Sequence, residues 1–86
     1  MSREGFLRRL LASRAVNCTY TQGDAAGLIS AWAYEGRFVL TWEECPAGQQ
    51  YDESTYTRDE RHEFVSAEDV LAFVEWSGYP ASAFSP

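Results

Sequence analysis

Residues 28–43 read "LISAWAY-EG-RFVLTWE", two alternating runs around Glu35-Gly36. Alternation of this length is the period of a strand, and the short polar break makes the two runs a β-hairpin. The hairpin commits the chain to an antiparallel sheet with one apolar face. Glutamate is disfavoured at the first position of a two-residue type I′ turn, which needs positive φ. The sequence therefore predicts a type I turn over Tyr34 and Glu35, with Gly36 as the left-handed bulge residue. That register pairs Ala33 with Arg37. It puts Leu28, Trp32, Phe38, Leu40 and Trp42 on the core face, and Ile29, Ala31, Ala33, Val39 and Thr41 on a smaller, mildly apolar outer face.

The flanking segments extend this sheet. Val16, Cys18 and Tyr20 alternate in a β-prone stretch that "QGDAAG" closes as a turn. Residues 54–65 have strand propensity at both ends, "STYT" and "HEFV", around the charged "RDER". They predict a fourth strand, either continuous or turned near Asp59-Glu60. In an unbroken strand Arg58, Glu60 and His62 share a face, too polar for a core, so a solvated edge strand or a ribbon extending beyond the sheet is expected. Two helices bracket the sheet. Ser2 caps the first, with Phe6, Leu7, Leu10, Leu11 and Arg14 as its stripe. Ser66 caps the second, Asp69 closes a short capping box, and Val70, Leu71, Phe73, Val74 and Ser77 face the core. Gly78 and Pro80 end it. The fold class expected is α+β: a four-stranded antiparallel sheet with two helices on one face, in the order α-β-β-β-β-α. Residues 1–78 form the domain and 79–86 a C-terminal tail that either docks through Tyr79 and Phe84 or is loose.

Charge narrows the function classes. The net charge is −6 over 86 residues, and every one of the seven cations is Arg. Residues 1–15 hold a balance of +3 and the remainder −9. An acidic body repels phosphate, which argues against direct nucleic-acid binding. The second helix of double-stranded-RNA-binding domains opens on a lysine cluster; here it opens on "SAEDV", the wrong charge for that activity. Arg8 and Arg9 interrupt the apolar stretch near the start, so no signal-length run forms, and no segment reaches membrane-spanning length. A cytoplasmic protein is expected.

Little points to catalysis. Cys18, Cys45 and the lone His62 form no zinc spacing, and two idle thiols are expected. No triad motif or glycine-rich phosphate loop is present, and Gly23 and Gly27 read as turn glycines. No enzyme activity, metal or cofactor is expected. Two surface features remain. One is an acidic band running from Glu43 and Glu44 to Glu68 and Asp69. The other is a surplus of aromatics, with three Trp, five Tyr and five Phe. They meet in "YDESTYTRDERHEF", where Asp52, Glu53, Asp59, Glu60 and Glu63 are the candidate partner-binding acids and Tyr51 and Tyr56 the anchors.

"FVSAEDVLAFVEWSGYP", residues 64–80, resembles the last segment of small bacterial toxin-immunity proteins: a strand, a capped helix and a Gly-x-Pro turn. The short, acidic, aromatic-rich profile is also similar to phage-encoded inhibitors of the anti-CRISPR type. Both resemblances imply one job: to bind one protein and block its active or nucleic-acid-binding surface. With the acidic charge, the expected partner is a protein with a basic surface, a toxin or a defence nuclease complex. The alternative is a structural or accessory subunit that acts as a homodimer, through the basic first helix or the sheet face of Ile29, Ala31 and Val39.

Overall fold

The computed structural model describes residues 1–86, and its elements follow the expected α-β-β-β-β-α order. They are α1 (Arg3–Leu11), β1 (Val16–Gln22), β2 (Ala25–Tyr34), β3 (Arg37–Pro46), β4 (Arg58–Phe64) and α2 (Ala67–Trp76). The strands form one antiparallel meander, β1-β2-β3-β4. α1 packs over β1 and β2, α2 over β3 and β4, and both share one core with the same sheet face.

The helix ends are built as their sequences dictate. The Ser2 hydroxyl accepts from the Gly5 amide at 3.0 Å, and that of Ser66 from the Asp69 amide at 3.1 Å. Each satisfies an amide that the first turn leaves without a partner. Both helices close in the Schellman arrangement, in which the second residue past the cap bonds back to the last turn. Tyr79 donates to Val74 at 2.9 Å around Gly78, and Arg14 donates to Arg9 at 2.8 Å around Ser13. Gly78 holds φ 96° without strain, whereas Ser13 holds φ 60° with a side chain.

The hairpin register differs from the expected one. Tyr34 pairs with Arg37, and Glu35 and Gly36 form a two-residue turn with φ of 49° and 77°, the type I′ signature. Every side chain of β2 therefore moves to the opposite face from the one predicted. Ile29 and Ala31 lie buried beneath the helices, while Leu28 and Trp32 point away from them. Volume explains the choice. The bulged register would pair Trp32 with Phe38, two large rings under one helix layer. The observed one sets Phe38, Leu40 and Trp42 against Ala33, Ala31 and Ile29. Large against small fills the space beneath two helices without overlap. The cost is a glutamate in left-handed backbone, about 1–2 kcal/mol.

Three further expectations are corrected or resolved. Gly27 is not a turn glycine: it lies within β2 opposite Tyr20, whose ring occupies the space a β-carbon there would need. β4 is an unbroken strand through "RDER", and a short 3-10 turn (Glu53–Thr55) replaces its expected beginning. Residues 79–86 dock on the domain, one of the two outcomes open for the tail. Phe84 is buried edge-on against Phe6, with centroids 5.2 Å apart, and Ala81 is buried beside it. Ser85 and Asn17 exchange two backbone hydrogen bonds of 2.8 Å along β1. The segment thus covers part of one sheet edge and leaves β4 as the open edge. Leu11, counted in the α1 stripe, is mainly exposed.

Replacing Glu35 by Asn, which tolerates the left-handed region, is expected to stabilise the protein by about 1 kcal/mol. Urea unfolding would report it, and an unchanged midpoint would remove Glu35 as a site of strain.

Candidate protein-docking face

Two faces of the sheet divide the acids of the chain. On the helix side, β4 presents Arg58, Glu60 and His62, all half-buried rather than solvated as expected. The Arg58 guanidinium lies 3.5 Å from the centroid of the Trp42 ring and bonds Glu60. His62 Nε2 donates to the second oxygen of Glu60 at 2.8 Å and stacks its ring on Phe73, 4.8 Å away. The hydrogen bonds from His62 and Arg58 hold the Glu60 carboxyl below its usual range. Glu60 is thus engaged inside the molecule and stands apart from the other candidate acids.

Glu44 is engaged on the same side. Trp42 Nε1 donates to the Tyr20 hydroxyl at 2.9 Å, and that hydroxyl donates to Glu44 Oε1 at 2.6 Å. Burial, then the bond to Glu44, pushes the Tyr20 phenol up to about 12.

The opposite face carries no helix. Its rows run straight across the strands. Thr19, Leu28, Glu43 and Asp59 form one, and Asn17, Ser30, Thr41 and Arg61 another. Trp32, Val39 and Glu63 form a third, in which Val39 is fully buried. Leu28 and Tyr34 are exposed here. Arg37 and Arg61 are the cations of this face, and neither makes an ion pair. Cys45 is buried on this side and Cys18 beneath the helices, so the sheet separates the two thiols. Burial pushes the Cys18 thiol up.

The loop between β3 and β4 folds back on this face. Its ends are tied by the Thr57 amide, which donates to the Glu44 carbonyl at 2.8 Å. Asp52 caps the 3-10 turn by accepting from the Ser54 amide at 3.1 Å and hydroxyl at 2.6 Å. The Tyr56 hydroxyl donates to the Gln50 carbonyl. A closed loop of this kind is rigid enough to act as the wall of a site. Tyr56 and Gln50 do so, enclosing a groove of about 550 Å³ over Thr19, Thr21, Leu28, Glu43 and Cys45.

The structure therefore brings Tyr56 and Asp59 to one end of the open face, with Glu53 on the loop beside them. Glu63 lies further along the same face. Tyr51 stands at the loop tip, 88% exposed. Leu28 and Trp32 belong to this face, although the expected register had put them on the core face, and Glu43 lies here by alternation from Val39 and Thr41. The signal that would have placed Leu28 and Trp32 is the I′ turn: once Tyr34 pairs with Arg37, their facing follows. Trp76, 85% exposed at the end of α2, lies in the helix layer.

Comparison with known protein families, with curated proteins and with solved structures yields no match to this chain.

The Tyr20 network sets a pH limit. An unfolded tyrosine loses its proton near pH 10, while Tyr20 in the fold keeps it to about 12. Within that window the folded state binds more protons, so stability present below pH 10 is lost as pH rises. With no lysine in the chain, no side-chain ammonium titrates alongside. The thermal midpoint is expected to fall between pH 10 and 12, and to fall less in Tyr20→Phe. An equal fall in both proteins would rule out Tyr20 as the source.

Proposed function

We propose that this protein works by binding another protein at a basic surface and occluding it, as a non-enzymatic inhibitor of the toxin-immunity or anti-CRISPR kind. The observation that carries this reading is the uncovered sheet face. It sets exposed Leu28 and Tyr34, with Trp32, beside Glu43, Asp59 and Glu63. Aromatic and aliphatic anchors inside a charged rim are what tight interfaces use, and the acids speed association with a basic partner. Tyr51, Asp52, Glu53 and Tyr56 extend the surface from the loop. Glu60 drops out of the proposed contact set, because Arg58 and His62 already hold it on the other face. A partner that handles nucleic acid suits this surface, since its phosphate-binding groove is basic. The working compartment proposed is the cytoplasm.

A second reading is a homodimer that closes the same face over its apolar residues. The uncovered Leu28, Trp32 and Tyr34 favour it, in place of the Ile29, Ala31 and Val39 patch, since Ile29 and Ala31 are under the helices.

Reversing Glu43, Asp59 and Glu63 to Lys is expected to weaken partner binding about 100-fold, roughly 2.7 kcal/mol. The same change of charge at Glu4, Glu68 and Glu75, on the helix layer, should leave binding near the wild-type level. Affinity capture from bacterial lysate at low and high salt compares the two, with circular dichroism to verify folding. A partner retained by the open-face variant would overturn the reading. A concentration-dependent dimer by light scattering, with no partner captured, would favour the second.

A further inference from the structure

Glu43 and Asp59 are direct cross-strand partners on the open face, two like charges in register. Such a pair destabilises a sheet. Neither acid has an ion-pair partner, and Arg61, two residues along the same face, reaches neither. The next rung of the same two strands, on the helix side, is arranged differently: Glu44 lies opposite Arg58. There the guanidinium lies over an aromatic ring, Trp42, and bonds a carboxylate, Glu60. The open face holds the same kind of ring and the same kind of carboxylate without the cation. Tyr56 and Glu43 line the same groove, and burial, then the charges of Glu43, Glu53 and Asp59, push the Tyr56 phenol up. Cys45 lines the same groove as a free cysteine and is 3% exposed.

We propose that this groove is a receptor for one arginine side chain of the partner protein, its guanidinium held between Tyr56 and Glu43, with Asp59, the cross-strand partner of Glu43, at the rim. The proposal rests on the docking reading above and names the partner chemistry at one point of it. Arginine fits better than lysine for two reasons. A planar guanidinium stacks on a ring while its edge donates in a fork to carboxylates, and it sheds water more readily than an ammonium. The Thr19 and Thr21 hydroxyls and the Gln50 side chain supply further oxygens along the groove. The opposed acids make the empty groove costly, and one guanidinium relieves their repulsion, so binding strength is built in at the expense of folding stability.

The probe is Nα-acetyl-arginine amide, which carries a single charge, compared with the lysine and citrulline equivalents on the full chain. Amide chemical shifts follow binding, and alkylation of Cys45 follows access to the groove. Arginine amide is expected to shift Thr19, Leu28, Glu43, Tyr56 and Asp59. It should slow alkylation of Cys45 and leave the rate at Cys18, on the other face, unchanged. Lysine amide should bind more weakly and citrulline amide not at all. Glu43→Gln or Asp59→Asn should raise the apparent Kd about tenfold, the worth of one charge-assisted hydrogen bond, and Glu63→Gln should not. Both variants remove a repulsion, so they should melt no lower than wild type. Equal binding of arginine and lysine, shifts spread over the whole acidic surface, or an unchanged Kd in both variants would each overturn the pocket. If the pocket fails while reversal of Glu43, Asp59 and Glu63 still abolishes partner capture, the docking face stands without it. Arginine binding at the groove with capture intact in that variant would reject the docking face instead.

Discussion

The two-residue turn at Glu35-Gly36 decides which side of the sheet each β2 residue meets. Because strand side chains alternate, one residue of slip exchanges the whole set. With Tyr34 opposite Arg37, Ala31 and Ala33 lie beneath the helices and leave room for Phe38, Leu40 and Trp42 beside them. With the bulged alternative, Trp32 would compete with Phe38 for that space and Ile29 would face water. The strain at one glutamate is small beside the burial at stake. Burying one Ile or Leu is worth about 1.5–3 kcal/mol, and Ile29, Ala31 and Leu40 are all fully buried. The turn also creates the open face, since Leu28 and Trp32 reach it only in this register.

What covers the other side follows from the same arrangement. β4 is an edge strand with alternating charge, and its helix-side residues are polar although α2 packs against them. They are tolerated because they complete one another: Glu60 takes Arg58 and His62, Arg58 lies over Trp42, and His62 lies on Phe73. Half-exposed pairs of this kind add modestly to stability. Their larger effect is to blunt an unpaired edge with charge, which discourages pairing with another chain. Docking by strand addition is therefore disfavoured at β4, and the flat of the sheet is the better surface for a partner.

The legible parts of the fold were local ones. Ser2 and Ser66 announced their helices because capping needs a hydroxyl three residues before the amide it accepts from, a relation within one turn. The hairpin was visible in its period. Register was not, because it depends on how large side chains from β2 and β3 share space under helices distant in sequence. The polar ladder of β4 was misread for a similar reason. A partner on the next strand, Trp42 beneath Arg58, turns a charged residue into a packed one. The docking of Phe84 on Phe6 joins opposite ends of the chain and leaves no periodic trace. As for the site, Tyr56 and Asp59 were singled out by composition. Glu43 came to them only through the pairing of β3 with β4.

β3 and β4 allow a comparison of two faces of one ribbon. Both faces carry acids. On one, each acid of the central rungs meets an arginine, a histidine or a tyrosine hydroxyl of the same molecule. On the other, Glu43 meets Asp59, and the arginine two residues away turns elsewhere. Surface acidity for solubility alone gives no reason to place two carboxylates opposite each other, since staggering them would keep the net charge and relieve the repulsion. Nor does the core require it, because neither residue packs there. A like-charge rung beside a walled groove is a local conflict that the rest of the fold does not resolve, and such conflicts are expected where a sequence answers to a ligand as well as to its own packing.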